Sequence, residues 1–351
     1  MKKILIVCPD LKRVGGVANH YLGLNDYWSH TIEYIYYGRR NSLKIHPFFL
    51  FPYDLLLFSF RILFGKYDLI IVNPSLRKYQ LFRDGLYLLT AKIFRKKVVT
   101  FIHGWDEKYI EKLIRKPFFF QTVYGHSEII YVLCTEFRQK LMDCGLKVPV
   151  LLTTTKVDDK LLKNFSIDPS PKCTGKLLFL ARIEKNKGIY FAIEVFKRFK
   201  QMYPEACMYV VGSGKELRAV ETLTRSMNGI KLLGAKFGEE LANCYKDSDI
   251  YLLPTTHGEG MPTSVLEAMA FGLPVITRPV GGLKDFFEDG KMGYLIEDFD
   301  TNEYIEKIVQ LMRNEKLYES ISSYNYNYAQ HRFLASKVAR QLEMDFEKYI
   351  F

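Results

Sequence analysis

Two carboxylates, Glu259 and Glu267, stand on either side of a helix start in HGEGMPTSVLEAMAFGLPVIT, residues 257–277. The preceding YLLPTT reads as a short apolar strand, GEGMP as a turn, and TSVLEAMAFG as a helix closed by Gly272. A helix entered from such a loop points its first free N–H groups and its positive dipole end at the loop, which favours a phosphate there. Pro262 fits the first turn, where no N–H is missed. Glu259 then sits on the loop beside the bound group, and Glu267, one turn into the helix, reaches a neighbouring pair of hydroxyls, which one carboxylate accepts together. The same spacing has a plainer explanation. Ser264 and Glu267 have the S-x-x-E pattern of a capping box, in which Glu267 only satisfies a backbone N–H, and a Glu between glycines is commonly an exposed loop residue.

A second loop supplies the opposite charge. In ARIEKNKGI, Arg182 and Lys187 lie between a strand and a helix, where two cations can neutralise an anionic group such as a diphosphate. Read alone, KNKG is a run of solvated loop lysines. His103 ends the apolar strand in FIHGW, a place where a lone histidine is more often hydrogen-bonded structure than catalyst. Gly15 and Gly16 sit in the turn that follows the first strand, KKILIVC.

The 257–277 window resembles the donor-site signature of retaining glycosyltransferase family 4, the glycosyl transferases group 1, whose pattern runs E-G-x-P-x-x-x-x-E-A-M-A-x-G-x-P-V. Glu259, Gly260, Pro262, Glu267, Ala268, Met269, Ala270, Gly272, Pro274 and Val275 match it. That family's loop G-R-x-x-x-x-K-G is met by Arg182, Lys187 and Gly188, with Ala181 in place of the usual glycine. The resemblance implies a GT-B architecture, an α/β fold of two Rossmann-like parallel-sheet domains facing across a cleft. It implies a catalytic set of Glu259, His103, Arg182 and Lys187, and a donor-binding set of Gly15, Gly16, Gly260, Met261, Pro262, Thr263 and Glu267. Arg182 and Lys187 would contact the donor diphosphate, Glu259 and His103 the sugar, and Glu267 the ribose hydroxyls.

The reaction so implied moves a hexose-type sugar from a nucleotide diphosphate, with UDP favoured, to a glycan hydroxyl with retention of configuration. A carboxylate nucleophile of the kind retaining hydrolases use and front-face attack assisted by the leaving phosphate are both admissible. No metal and no cofactor is expected, the nucleotide sugar being a substrate. An epimerase of the same architecture would need no acceptor, and the 257–277 signature speaks against it. The complete set of Arg182, Lys187, Glu259 and Glu267 speaks against a nucleotide-sugar-binding scaffold without turnover.

Elements able to position these residues follow from the alternation of strand and helix patterns. KKILIVC, TIEYIYY, DLIIVN, KVVTFIH, EIIYVLC and VPVLLT are strands of a first parallel sheet. After a polar stretch with two prolines, KLLFLAR, ACMYVVG, GIKLLG, DIYLLP and PVIT form a second. The expected organisation is a first domain over residues 1–160 on the acceptor and membrane side, a linker over 161–175, a donor domain over 176–325, and a terminal helix over 326–351 that packs back on the first domain. Two other motifs carry less. Asp247 and Asp249 spell D-x-D but stand at a helix end and a strand start. The GSG of residues 212–214 lacks the third glycine of a dinucleotide loop, Leu217 standing in its place.

Composition fits a two-domain enzyme: 351 residues with 48% apolar content can fill two cores. Six cysteines show no C-x-x-C pair or metal-ligand cluster, and MKKILIVCPD is too short and too polar for a signal peptide, so a reducing cytoplasm is expected. Residues 1–166 hold 26 Lys and Arg against 14 Asp and Glu, and the remainder 24 against 25. That excess travels with apolar runs, residues 46–66 and 115–120, a pairing suited to an anionic membrane surface. The first run is too short to cross a bilayer; it lies on one, or it is a core helix. No nucleic-acid motif accompanies the charge. The expected setting is peripheral, on the cytoplasmic face of an inner membrane, with a lipid-linked glycan as acceptor in surface polysaccharide assembly.

Overall fold

The computed structural model describes residues 1–13, 15–38, 47–258 and 260–351. Along the chain run β1 (Lys3–Cys8), α1 (Gly16–Leu24), β2 (Thr31–Tyr36), α2 (Pro47–Phe64), β3 (Leu69–Val72), α3 (Lys78–Ile93), β4 (Lys97–Phe101), α4 (Glu107–Arg115), α5 (Phe118–Tyr124), β5 (Ile129–Val132), α6 (Thr135–Asp143) and β6 (Val150–Leu152). A second series follows, with β7 (Lys176–Leu180), α7 (Ile189–Met202), β8 (Cys207–Val211), α8 (Leu217–Thr224), β9 (Ile230–Gly234), α9 (Gly238–Lys246), β10 (Ile250–Leu253), α10 (Thr263–Ala270), β11 (Val275–Thr277), α11 (Leu283–Phe286), β12 (Gly293–Leu295), α12 (Thr301–Arg313), α13 (Glu315–Arg332) and α14 (Ala335–Tyr349).

These elements form two compact units. Unit 1 is residues 1–156 together with 335–351, and unit 2 is residues 157–334. Unit 1 holds a parallel sheet in the order β2-β1-β3-β4-β5-β6, and unit 2 one in the order β12-β11-β10-β7-β8-β9. LIIV of β3, IIYV of β5 and IYLL of β10 are buried along their whole length, as a parallel sheet covered by helices on both faces requires. Strand β12 has no counterpart among the sequence expectations: GYL is three residues long and opens on glycine, too little to stand out as a strand.

The chain changes unit after Lys156 and again after Leu334. Residues 161–175 therefore lie inside unit 2 and do not stand between units. Phe165 packs on Phe271 with ring centroids 4.8 Å apart. Asp249 Oδ2 accepts from Thr174 N (2.7 Å), Thr174 Oγ1 (2.8 Å) and Lys176 N (3.0 Å), which fixes the start of β7 and gives this member of the D-x-D pair a structural task. The return to unit 1 is α14 alone, since α13 belongs to unit 2. Val338, Ala339, Leu342 and Phe346 of α14 are buried, and the helix lies against α1.

In each sheet one pair of neighbouring strands sends its crossovers in opposite directions: β1 and β3 in unit 1, β7 and β10 in unit 2. Such switch points leave a crevice outside the carboxyl ends of the strands, the usual place for a ligand in an open parallel sheet.

Candidate active site

At the β7/β10 switch point of unit 2, two loops are locked together. Gly188 closes the loop after β7 with a φ of +82°, and a Cβ there would stand 2.1 Å from Pro254 O, at the end of β10. Only glycine meets both conditions. Beside it, Asn186 O accepts from Thr256 N (2.9 Å), His257 N (3.1 Å) and Thr255 Oγ1 (3.1 Å), while Asn186 Nδ2 lies 3.2 Å from His257 Nδ1. The loop carrying Arg182 and Lys187 is thus tied to the loop that leads to α10. Its other flank rests on the GSG turn: a Cβ on Gly212 would meet Ala181 O at 1.9 Å, and one on Gly214 would meet Ile183 O at 2.3 Å. Close packing of two backbones, not phosphate binding, accounts for those glycines.

Charge in this loop is arranged against itself. Arg182 is exposed, with Nη1 3.3 Å from Glu184 Oε1. Lys187 is buried, and its ammonium is pulled down to about 8, chiefly by burial and next by the Arg182 charge, with Glu184 opposing. A drop of that size from 10.5 corresponds to a cost on the order of 3 kcal/mol for keeping the cation there. A negative group placed against Arg182 and Lys187 removes that cost.

Helix α10 begins at Thr263, with Pro262 as its N-cap, a residue whose side chain makes no capping hydrogen bond. Pro262 thus stands one position before the first turn proper. Ser264 is the second helical residue, two past the N-cap position a capping-box serine would hold, and its Oγ is 2.7 Å from the Tyr251 hydroxyl, which is also 2.8 Å from Leu180 O. Glu267 is buried, and its Oε2 accepts from Tyr245 OH at 2.8 Å. Tyr245 in turn stacks on Phe271, ring centroids 5.1 Å apart. Burial first, and Glu267 second, push the Tyr245 hydroxyl well above its ordinary range, so it remains a donor. Glu267 is therefore a held, desolvated carboxylate and not half of a capping box. Glu259 lies outside the described residues. Gly260 O accepts from Gly282 N (2.7 Å), and Met261 packs half-buried on the unit 2 core.

Unit 1 gathers its own set near the β1/β3 switch point. His103 stands two residues beyond β4, its ring stacked on Phe101 with centroids 3.7 Å apart. Its Nε2 is 3.1 Å from Asn73 Oδ1, which also accepts from Tyr21 OH (2.6 Å), while Asn73 Nδ2 donates to Val7 O (2.9 Å). Burial pulls the His103 imidazole down to about 3. It is neutral in ordinary conditions, and with the Nε2 proton directed at Asn73 the other nitrogen is left as an acceptor. Gly15 is the N-cap of α1, in extended backbone at φ 171°, and Gly16 is the first helical residue. An added Cβ would meet nothing within 4 Å at either position. Neither conformation nor packing calls for glycine there, so the space before α1 is kept open by the residue type alone.

The structure thus brings Arg182, Lys187, Pro262, Thr263 and Glu267 to one sheet edge in unit 2, and Gly15, Gly16 and His103 to one in unit 1. Asn186, Tyr245, Tyr251 and Asn73 were not foreseen. Asn186 was visible only as the residue between two lysines, and nothing in NCYKDSD marks Tyr245 as a carboxylate's partner.

The model of the glycosyl transferases group 1 matches residues 163–328. Among curated proteins, the putative colanic acid biosynthesis glycosyltransferase WcaL of Salmonella typhimurium is 24% identical over 230 residues, 63% of this chain and 56% of that protein. The amylovoran biosynthesis glycosyltransferase AmsK of Erwinia amylovora is 25% identical over 240 residues, 65% and 58% of the two chains. The matches thus span little more than half the length of these relatives. Among solved structures, Anabaena Alr3699/HepE in complex with UDP superposes with a TM-score of 0.72 at 16% identity, over 99% of this chain and 100% of that one. A glycosyltransferase from Rickettsia africae ESF-5 gives 0.76 at 14% identity, over 99% and 98%. Both share the fold of two α/β domains.

Proposed function

Since residues 163–328 match the model of the glycosyl transferases group 1, we propose that this chain is a retaining glycosyltransferase. It moves a hexose-type sugar from a nucleotide diphosphate donor, a UDP-sugar first among them, to a hydroxyl of a lipid-linked glycan in surface polysaccharide assembly. The observation that carries the reading is the β7/β10 edge of unit 2. A desolvated lysine beside an arginine and a held carboxylate one turn into α10 together offer partners for a diphosphate and for ribose hydroxyls.

Bond breaking at the anomeric carbon puts one further negative charge on the terminal phosphate of the departing nucleotide. Arg182 and Lys187 stabilise that charge, and the start of α10 adds its positive end. Glu267, kept in one rotamer by Tyr245, accepts the ribose hydroxyls. His103, neutral, orients the sugar as a hydrogen-bond acceptor and does not supply a proton. Glu259 stands beside the sugar in this reading, on the residue pattern alone. The UDP in the HepE structure and the polysaccharide roles in the names of WcaL and AmsK support the donor and acceptor classes. The setting that follows is the cytoplasmic face of a membrane.

A thermal-shift and product screen of the full chain against UDP-, GDP- and ADP-sugars, with detergent-solubilised lipid-linked acceptors and with water alone, tests the proposal. Stabilisation by one donor and nucleotide release that requires acceptor are the expected results. Interconversion of the donor without acceptor would make the chain an epimerase, and stabilisation with no turnover on any acceptor would leave it a scaffold.

A further inference from the structure

Helix α2 is apolar on every side. Its eighteen residues include two charged side chains, Asp54 and Arg61. Asp54 is buried and accepts from Gly38 N at 3.0 Å, and Arg61 turns back to Tyr34 O (3.0 Å) and Glu33 (3.7 Å). Leu50, Phe58 and Ile62 face the core of unit 1 and are buried. The opposite face carries Leu56, Leu57, Phe60, Leu63 and Phe64, all exposed, with Phe60 and Phe64 stacked on each other at 6.0 Å. At 100° per residue these five span an arc of about 120° that holds no charge. A helix apolar all round is normally covered on all sides, and among the described residues about a third of the circumference of this one is not.

Neighbouring helices extend the feature. α3 lies beside α2, and α5 beside α3. Each adds an exposed ring, Phe82 on α3 and Phe118 on α5. Exposed basic residues stand next to these groups: Lys66 just past α2, Lys78 one turn before Phe82, and Arg115 and Lys116 directly ahead of Phe118. Unit 1 as a whole carries 27 Lys and Arg against 15 Asp and Glu, unit 2 carries 23 against 24.

That charge decides between the two occupants an apolar face of this size invites. A second copy of the chain would set one strongly basic unit against another. An anionic bilayer satisfies both features, taking the rings and leucines at the acyl boundary and the lysines and arginines at its phosphates. We propose that the outer face of α2, with Phe82 and Phe118, docks unit 1 on an anionic lipid bilayer. The helix lies on the surface, since no described helix is long and apolar enough to cross one. The proposal rests on the transferase reading for its purpose, which is to meet a lipid-linked acceptor, and on the α2 face for its place.

Flotation of the full chain with vesicles of phosphatidylglycerol and phosphatidylcholine in equal parts, without donor, tests it. The chain is expected to float with these vesicles and only weakly with phosphatidylcholine alone. The exposed-site double variant Phe60→Ser, Phe64→Ser should bind at least tenfold more weakly with an unchanged melting curve, and Lys66→Glu, Arg115→Glu, Lys116→Glu together should abolish the preference for anionic lipid. In Phe60→Trp, the emission of the added indole should shift to the blue on anionic vesicles and be quenched by brominated lipid. Failure of the chain to float, equal flotation of the double variant, or a dimer dissolved by that variant in a chain that ignores vesicles would each overturn the proposal. Because no donor is present, a chain that floats but turns over no nucleotide sugar would keep the docking face and lose only the transferase reading.

Discussion

Above pH 8 the Lys187 ammonium gives up its proton, because burial and Arg182 hold it to about 8, and one of the two cations set against a diphosphate disappears. UDP affinity, measured by calorimetry between about pH 7 and pH 9, should therefore fall by up to about tenfold per pH unit once past 8. Lys187→Arg, which cannot deprotonate in this range, should flatten the profile. Stability of the free chain runs the other way: with the folded pKa below the unfolded one, stability rises as pH climbs from about 8 toward 10.5. Tyr245→Phe keeps the stack on Phe271 but takes a donor from Glu267. A hydrogen bond to a charged group is worth about 1.5–3 kcal/mol, so UDP should bind roughly ten- to a hundredfold more weakly while pyrophosphate binding is unchanged. Equal loss for both ligands would remove Glu267 from the ribose. Arg182, Lys187 and Glu267 stood out in the sequence because their charges sit at fixed steps within two motifs, the first two in ARIEKNKGI and the third in the 257–277 window. Tyr245 and Asn73 were not, since each acquires its task from a partner 22 or 30 residues away.

Many strands were legible because four to six consecutive apolar residues between polar turns leave few alternatives, and the parallel order followed from the helices between them. What the pattern overstated were the carboxyl ends. β4 ends at Phe101; Ile102 still donates its N–H to Tyr131 O (2.9 Å), and the His103 ring beyond it stacks on Phe101. The two-loop lock at β7/β10 was half legible: K-G in the motif marks Gly188, but the Pro254 carbonyl it must clear lies on another strand. Gly188→Ala combines a left-handed φ with a 2.1 Å clash against backbone, so it should destabilise unit 2 by on the order of 2–4 kcal/mol in urea unfolding. The loss of turnover should be larger than that of Asn186→Ala, which removes only the contact to His257 and leaves the backbone knot in place.

The two units differ in what they need to be complete. Unit 2 is one uninterrupted stretch of chain, whereas unit 1 is closed by a segment that follows it by some 180 residues. Removing residues 335–351 takes Val338, Leu342 and Phe346 from the core of unit 1, together with the Asp345 oxygen that accepts from Tyr131 OH at 3.0 Å and the Glu343 carboxylate that accepts from Ser29 N at 2.7 Å. Buried aliphatic and aromatic side chains cost about 2–5 kcal/mol each when lost. Calorimetry of the shortened chain should show one transition moved sharply down and another left in place; a single unmoved transition would mean that α14 is an appendage. The same arrangement sets a timetable during synthesis. As the ribosome finishes Lys156, the first sheet has all its strands but α1 has no cover, and it stays so while unit 2 emerges and folds. Residues 335–351, which are made after all of unit 2, complete the first unit, so the unit begun first is finished only after the second has been synthesised.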